Sequence, residues 1–494
     1  MTAAIEHPLT QSDLGRVKRC WRCTATECNG LSTLLKMARG INLTEETGLF
    51  GPGQNPEMIY LVVGGVVGLL MADGRGGETL VKIVDPGSFV GESLMLTRDA
   101  ERFSARTLTP ARVAEIPAAG VRAAIEDNPC FRRYFFGALS DGLRRSVRQF
   151  AQLKLMTAPQ RLGAYLLSVA SCEHGPARLK IPFERQALAE MLGMRPESLS
   201  RAFRSLAEIG VARQERGMVA IEAIERLAAY CETAPAQSAA PAQAVEDGAR
   251  SWKKSRPSPG QASGLGVDTD IPLFSMLSEV EIASVLAKSR VVTYDQPTLL
   301  FESGSPADRC FVVVAGRVRL FITKGDGREA PIDSVEPGAS FAEAAMLGVG
   351  RYPVSAETQP GTRLLHIPKE SLTGLLFKEA LFARPLLEAL ARRQKQLFEW
   401  IMEFKTRTPT ERLVRELLKL TEVESGSATI RLTMSKAALA CHLGVAAESL
   451  SRIFLRLQPL GVKTGHASKV VVSDVAVLRD FCAQPAAEPE PAHA

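Results

Sequence analysis

At 494 residues, 46% of them hydrophobic, the chain holds apolar material for about three to four domains. Its nine cysteines are too few and too unevenly spaced for a secreted disulfide scaffold. No run approaches the ~20 uncharged apolar residues that cross a bilayer, and the opening MTAAIEHPLTQSDLGRVKRC lacks an apolar signal core, so a cytoplasmic protein with no membrane partner is expected. The net charge of +6, from 60 Lys and Arg against 54 Asp and Glu, suits a nucleic-acid partner but is spread too widely to decide one.

In chain order the elements run through once and then again. Residues 1–48 are an N-terminal segment holding Cys20, Cys23 and Cys28. Residues 49–128 read as an antiparallel β-roll, because YLVVGGVVGLLMADGRGGETLVKIVDPGSF is short β-rich runs cut by glycines and Pro-Gly. After Ile116-Pro117 the period becomes helical: Phe135, Leu139, Leu143, Val147 and Phe150 share one stripe of a long helix placed at 129–156, about 38 Å over its central residues. A winged helix-turn-helix follows over 157–231, then a flexible linker over 232–270 rich in Ala, Pro, Gln, Ser and Gly. The second series is a β-roll at 271–379 and a long helix at 380–407 with Leu386, Leu390, Leu397, Ile401 and Phe404 on its stripe. A winged helix-turn-helix at 408–482 and a disordered tail at 483–494 complete it. The expected class is α+β, built from two such roll, helix and winged-helix series.

The duplication holds strict register. Gly65 and Gly316, Ile116-Pro117 and Ile367-Pro368, Arg161-Leu162 and Arg412-Leu413, and Gly193 and Gly444 all stand 251 positions apart, as do Cys231 and Cys482.

In FERQALAEMLGMRPESLSRAFRSLAEIGV a helix of Ala and Leu turns at Gly193-Met194-Arg195, and a second helix opens at Pro196, a tolerated first position. Its counterpart is MSKAALACHLGVAAESLSRIFLRLQPLGV, and RQERGMVAIE and KTGHASKVVVS supply β-prone wings. Glu197, Ser200 and Arg201, and likewise Glu448, Ser451 and Arg452, fall at i, i+3 and i+4 on one helix face. Arg can bridge guanine O6 and N7 while Glu accepts from the paired cytosine, so both can interrogate one G·C pair. A solvated Glu–Arg helix pair is the alternative, and the repetition of ESLSR beside a helix-turn-helix favours base reading.

β-roll, long helix and winged helix-turn-helix ending in ESLSR resemble the Crp/Fnr family of bacterial regulators, over nearly the whole chain twice. The resemblance implies rolls of the cyclic-nucleotide-binding, jelly-roll type and long helices that dimerise. The Glu-x-x-Ser-Arg pattern is similar to the Fnr-like branch, which implies half-sites of the TTGAT type read by those six residues. SFAEAAMLGVGRYPVSAET in the second copy resembles Dnr/Nnr-type regulators, some of which use haem; His366 and His442 are the nitrogens to check.

In cyclic-AMP-binding members, a Gly-Glu pair holds the ribose and an Arg-Ser pair the cyclic phosphate. The first copy keeps Gly91, Glu92 and Arg102 but has Phe103 for Ser, and the second has Ala342-Glu343 and Pro353. A phosphate without its Arg lacks charge-assisted contacts, which argues against cyclic AMP; Glu92 and Arg102 form either an effector site or a structural ion pair. Cys20, Cys23 and Cys28 lie amid Arg16, Lys18, Arg19 and Arg22, a setting that favours thiolates. They resemble the cysteines that hold the Fnr iron–sulfur cluster, yet the last interval is one residue short and Ala114 stands where the fourth ligand is expected, leaving Cys130 or a non-cysteine group. Cluster or zinc binding, a redox dithiol and unliganded thiols all stay open.

No P-loop, GxSxG, HExxH or kinase motif points to an enzyme. The leading expectation is a DNA-binding regulator sensing a redox, gas or small-molecule signal in its rolls, acting with RNA polymerase. The rival is a cyclic-nucleotide-binding subunit acting on a protein partner, against which the duplicated ESLSR counts. The linker's 39 residues span about 31–37 Å as a coil, long enough for the second roll to fold back beside the first. An internal pseudo-dimer is therefore expected, with a homodimer of whole chains as the alternative.

Overall fold

The computed structural model describes residues 5–7, 9–13, 15–16, 36–54, 57–72, 77–97, 103–232, Phe274 and 278–483, apart from 171, 173, 183, 215–216, 324–328, 348–349, 379, 433–435, 446 and 466–468. Cys20, Cys23, Cys28 and Arg102, nearly all of the expected linker and the tail beyond Ala483 lie outside the described residues.

The first roll comprises β1 (Ile5–His7), β2 (Arg39–Leu43), β3 (Gly48–Phe50), β4 (Met58–Gly64), β5 (Val67–Ala72), β6 (Glu78–Val84), β7 (Phe89–Val90), α1 (Glu92–Thr97), β8 (Phe103–Thr107) and β9 (Ala111–Pro117). They form two antiparallel sheets, ordered β1-β2-β9-β4-β7 and β3-β8-β5-β6. Gly65 turns β4 into β5 at φ +77°, and a Cβ there would stand 2.4 Å from the Pro110 carbonyl oxygen. Only glycine fits both demands.

A short helix α2 (Ala118–Asp127) leads into the long α3 (Pro129–Leu155), whose start is set by Pro129 and by Asn128, which accepts a hydrogen bond from the Phe131 N–H. Beyond it lie α4 (Ala158–Val169), β10 (Ala177–Lys180), α5 (Arg185–Met191), α6 (Pro196–Ala207), β11 (Val211–Arg213), β12 (Met218–Ile221) and α7 (Ile224–Glu232). The wing strands are present, but they sit in a three-stranded sheet ordered β10-β12-β11, whose first member precedes the helix pair. Leu179 on β10 pairs with Val219, and the ARLK run alternates apolar with polar residues over four positions only, too short a stretch to stand out as a strand in the sequence.

The second copy repeats the plan with α8 (Glu279–Leu286), β13 (Arg290–Tyr294), β14 (Thr298–Phe301), β15 (Arg309–Ala315), β16 (Val318–Thr323), β17 (Glu329–Val335), β18 (Ser340–Phe341), α9 (Glu343–Leu347), β19 (Ser355–Thr358) and β20 (Thr362–Pro368). Its sheets, β13-β20-β15-β18 and β14-β19-β16-β17, have the strand order of the first roll without the extra edge strand β1. Then come α10 (Lys369–Lys378), the long α11 (Ala380–Thr406), α12 (Pro409–Lys419), β21 (Ala428–Arg431), α13 (Lys436–His442), α14 (Ala447–Leu457), β22 (Val462–Thr464), β23 (Lys469–Val472) and α15 (Val475–Ala483).

The two long helices, 27 residues each, pack against one another within the one chain. They run parallel, since Gly142 meets Gln394 while Phe150, further along, stacks on Trp400 at 5.6 Å and meets Phe404 edge-on at 5.2 Å. A Cβ on Gly142 would stand 3.2 Å from the Gln394 amide, so glycine lets the helices close at mid-length. On α3, Phe135 meets Phe89 of its own roll at 5.5 Å, and each long helix reaches the roll of the other copy, α11 through Phe398 against Phe103 at 5.5 Å and α3 through Lys154 against β17. Both rolls and both long helices thus share one hydrophobic core, and each winged-helix unit keeps a core of its own. The expected internal pseudo-dimer is the arrangement observed.

Candidate nucleic-acid interface

In α6 the residues Leu199, Ala202 and Leu206 are buried, which turns the opposite face, with Glu197 and Arg201, outward. Ser200 is half-buried, and its hydroxyl donates back to the Pro196 carbonyl at 3.0 Å. In α14 Leu450, Ile453 and Leu457 face inward while Glu448, Ser451 and Arg452 are exposed. The Arg201 guanidinium donates to the Ser198 hydroxyl at 3.2 Å, and no ion pair joins it to Glu197 among the described residues. The structure therefore brings all six expected DNA-reading side chains onto two helix faces clear of the cores. The copies differ just beyond: Arg204 and Ser205 in one stand opposite Leu455 and Arg456 in the other.

What aims these helices was not singled out from sequence. Arg161, on α4, donates to the carbonyls of Leu192 (2.8 Å) and Gly193 (3.2 Å) in the turn ahead of α6, and to the Met156 carbonyl just past α3 (2.9 Å). Arg412 does the same in the second copy, to Leu443 through two nitrogens (3.2 and 2.9 Å) and to Arg407 (3.0 Å). Each arginine ties the end of a long helix to the turn of the reading unit, and burial pushes both guanidinium pKa values down to about 10. Gly193 and Gly444 hold these turns at φ +62° and +65°, with no room for a side chain beside Leu153 and Phe404 respectively.

The rolls are clasped across copies by a second pair, Lys154 and Lys405. Lys154, near the end of α3, donates to the Pro331 carbonyl on β17 at 2.7 Å, and Lys405, near the end of α11, donates to the Leu80 carbonyl on β6 at 2.7 Å. Lys154 also lies over the Phe150 ring at 4.6 Å. Burial pushes the Lys405 ammonium down to about 7, with Glu190 on α5 pulling it upward. The seam between roll and reading unit differs between copies. Val66, Leu70, Leu80 and Leu108 close it onto Ala187 and Met191 in the first, whereas Arg317, Gln359 and His442 help line a 680 Å³ cavity in the second.

Within the first roll Glu92 has Lys82 and Arg145 as its described cationic neighbours; burial pushes the Glu92 carboxyl up, and Lys82 pulls it back. Lys82 is itself lowered by burial and lies 5.4 Å from the Phe398 ring centre, so a residue unremarked in the sequence joins the surroundings of Glu92 to the partner helix. In the second roll Ala342 adopts φ +73° where Gly91 has +91°, keeping the glycine conformation at some strain, and Glu343 accepts from the Ser340 hydroxyl at 2.7 Å. His366 is committed to structure: its Nε2 is 2.9 Å from the Tyr294 hydroxyl, and burial pushes its pKa down to about 3. His442 lies 3.7 Å from Glu416. Cys130 is exposed, Cys231 and Cys310 are buried, and no group of three metal-ligating side chains occurs among the described residues.

Comparison with known proteins matches the cyclic nucleotide-binding domain family to residues 41–128 and 291–379, and the Crp-like helix-turn-helix domain family to residues 160–230 and 411–481. The cyclic AMP receptor protein of Thermus thermophilus is 29% identical over 210 residues, covering 42% of this chain and 96% of that protein. The CRP-like cAMP-activated global transcriptional regulator of Mycobacterium tuberculosis is 25% identical over 206 residues, 41% of this chain and 92% of its own. The transcriptional activator protein anr of Pseudomonas aeruginosa is 27% identical over 179 residues, 35% and 73% respectively. Each match spans under half of this chain and most of the relative, as a duplicated chain set against single-copy ones should.

If Arg412 fixes the reading unit to the long helix, Arg412→Met strands the buried Leu443 carbonyl. The change should cost the second winged-helix unit about 2–4 kcal/mol and weaken DNA binding although residue 412 is off the reading face. Thermal unfolding and DNA titration check this; unchanged values in both would remove the role.

Proposed function

The chain belongs to the Crp/Fnr family of transcription regulators, as a member carrying the family's roll and helix-turn-helix twice, and from that premise we propose that one chain reads both halves of a near-palindromic DNA site. The observation that carries the reading is the pair of ESLSR helices, each presenting Glu and Arg on the face opposite its buried stripe. Arg201 and Arg452 bridge guanine O6 and N7, Glu197 and Glu448 accept from the paired cytosine, and Ser200 and Ser451 contact the neighbouring base or phosphate. The half-sites are of the TTGAT type and lie about one DNA turn apart. Two relatives carry names that make them cyclic-AMP-responsive, but a second roll with Pro353 at the Arg position favours a different effector there. The relatives of Mycobacterium tuberculosis and Pseudomonas aeruginosa carry the names of transcription regulators, and activation through contact with RNA polymerase is the action we assign. No helix among the described residues is long and apolar enough to cross a membrane.

Sensing is assigned to the rolls and to Cys20, Cys23 and Cys28, which as thiolates in a basic setting would supply sulfur ligands for an iron–sulfur cluster or zinc. These cysteines lie outside the described residues. Cys23→Ser should abolish metal content or the response to oxygen or nitric oxide. Protein purified without air that holds neither iron nor zinc, and whose DNA binding ignores those gases and thiol oxidants, would defeat this assignment.

Base reading is tested by Arg201→Ala and Arg452→Ala. Each should cost roughly 1–3 kcal/mol at a specific site and relax selectivity at one G·C pair, measured by titration against site variants. An equal loss on random DNA would contradict it.

A further inference from the structure

Between the C-terminal half of α3 and the flank of the second roll lies a cavity of 480 Å³, walled by one copy on one side and by the other copy on the other. Its charge is one-sided. Arg144 and Arg148 enter it from α3 and Arg351 from the loop ahead of β19, and no carboxylate is among its lining residues.

The arginines are only partly answered by the protein. Arg351 donates one bond, to the Gly304 carbonyl at 2.7 Å, which anchors the guanidinium and leaves its other donors. Arg144 has a loose contact at 3.4 Å with Asp141, both about two-fifths exposed, while its Nε is buried with no hydrogen-bond partner. Arg148 is exposed and has no ion pair among the described residues. The Ser303 and Tyr352 hydroxyls in the wall already donate to the Pro353 and Arg309 carbonyls, so the guanidiniums are the recognition groups. Leu155 and Ile322 add apolar wall beside them.

The duplication supplies an internal control. Sliding 251 positions along the chain, Arg148 becomes Glu399 and Arg351 becomes Ala100, while Arg144 becomes Lys395. A cationic groove that the scaffold itself required would recur on the other side, and this one does not. Three arginines lining one cavity with no carboxylate beside them favour a counter-anion there, and planar guanidinium forks match carboxylate and phosphate oxygens two at a time. We propose that this cavity binds a small organic anion of two or more negative charges, a phosphate ester or a dicarboxylate, with an apolar body lying on Leu155 and Ile322. Bound there, the anion ties α3 of the first copy to the second roll, stiffening the contact between copies from one side only. The site is separate from Glu92 and from the reading helices.

The test uses calorimetric titration of the full chain without DNA, so that it stands apart from the DNA reading. Phenyl phosphate and isophthalate are the probes, with phenol as the uncharged control. At least one anion should bind with one-to-one stoichiometry and phenol should not; the two anions separate phosphate from carboxylate preference. Arg148→Glu, which installs the residue of the other side, and Arg351→Ala should each weaken binding roughly tenfold or more. The thermal midpoint of Arg148→Glu without ligand should not fall, because Arg148 makes no ion pair among the described residues and its replacement relieves repulsion between like charges. Absence of heat up to about 10 mM anion, or binding undiminished in the double variant, would overturn the proposal.

Discussion

Everything in this molecule hangs on the mutual burial of two long apolar helix stripes. A 27-residue helix is about 40 Å long, more than the flank of one small roll covers, and α3 and α11 complete each other's burial through Phe150, Trp400, Phe404 and the close approach at Gly142. Because a linker joins the partners, this pairing is intramolecular, and the effective concentration of one half around the other approaches the millimolar range. The contact is isologous in all but name. Lys154 reaches Pro331, and Lys405 reaches Leu80, the residue 251 positions before Pro331.

From that contact a physical line runs to the DNA face. The ends of α3 and α11 bear Leu153 and Phe404, which press on Gly193 and Gly444 in the turns of the reading units. Arg161 and Arg412 fasten those turns to the residues just past the long helices. Packed side chains and short hydrogen bonds thus connect the long helices, which the rolls grip, to α6 and α14. The two connections are unequal: the first reading unit seals onto its roll through Leu80 and Met191, and the second stands off across a cavity. Covalent duplication frees the copies to diverge in this way, which two identical chains cannot do.

Much of this was legible in the sequence because it is local or periodic. The 251-residue register that Gly65 and Gly316 mark, the stripe from Phe135 to Phe150 and the opening of a helix at Pro196 each follow from spacing or backbone demands, and the structure places them accordingly. His366, flagged only as a ring nitrogen to check, is explained by Tyr294. What stayed hidden are long-range bonds to backbone carbonyls. Arg161 and Arg412 were visible as a recurring pair, and nothing in their neighbourhood says that their partners are Leu192 and Leu443, 31 residues on. Lys154 and Lys405 recur in the same way, and their acceptors lie in the opposite copy. The strand β10 went unread because the alternation in ARLK runs for only four residues.

The central claim is that one chain furnishes both halves of a DNA-reading dimer. Light scattering of the full chain with a duplex carrying a single near-palindromic site, at low micromolar protein, addresses it directly. A mass of one chain per duplex is the predicted result, and two chains per duplex would contradict it.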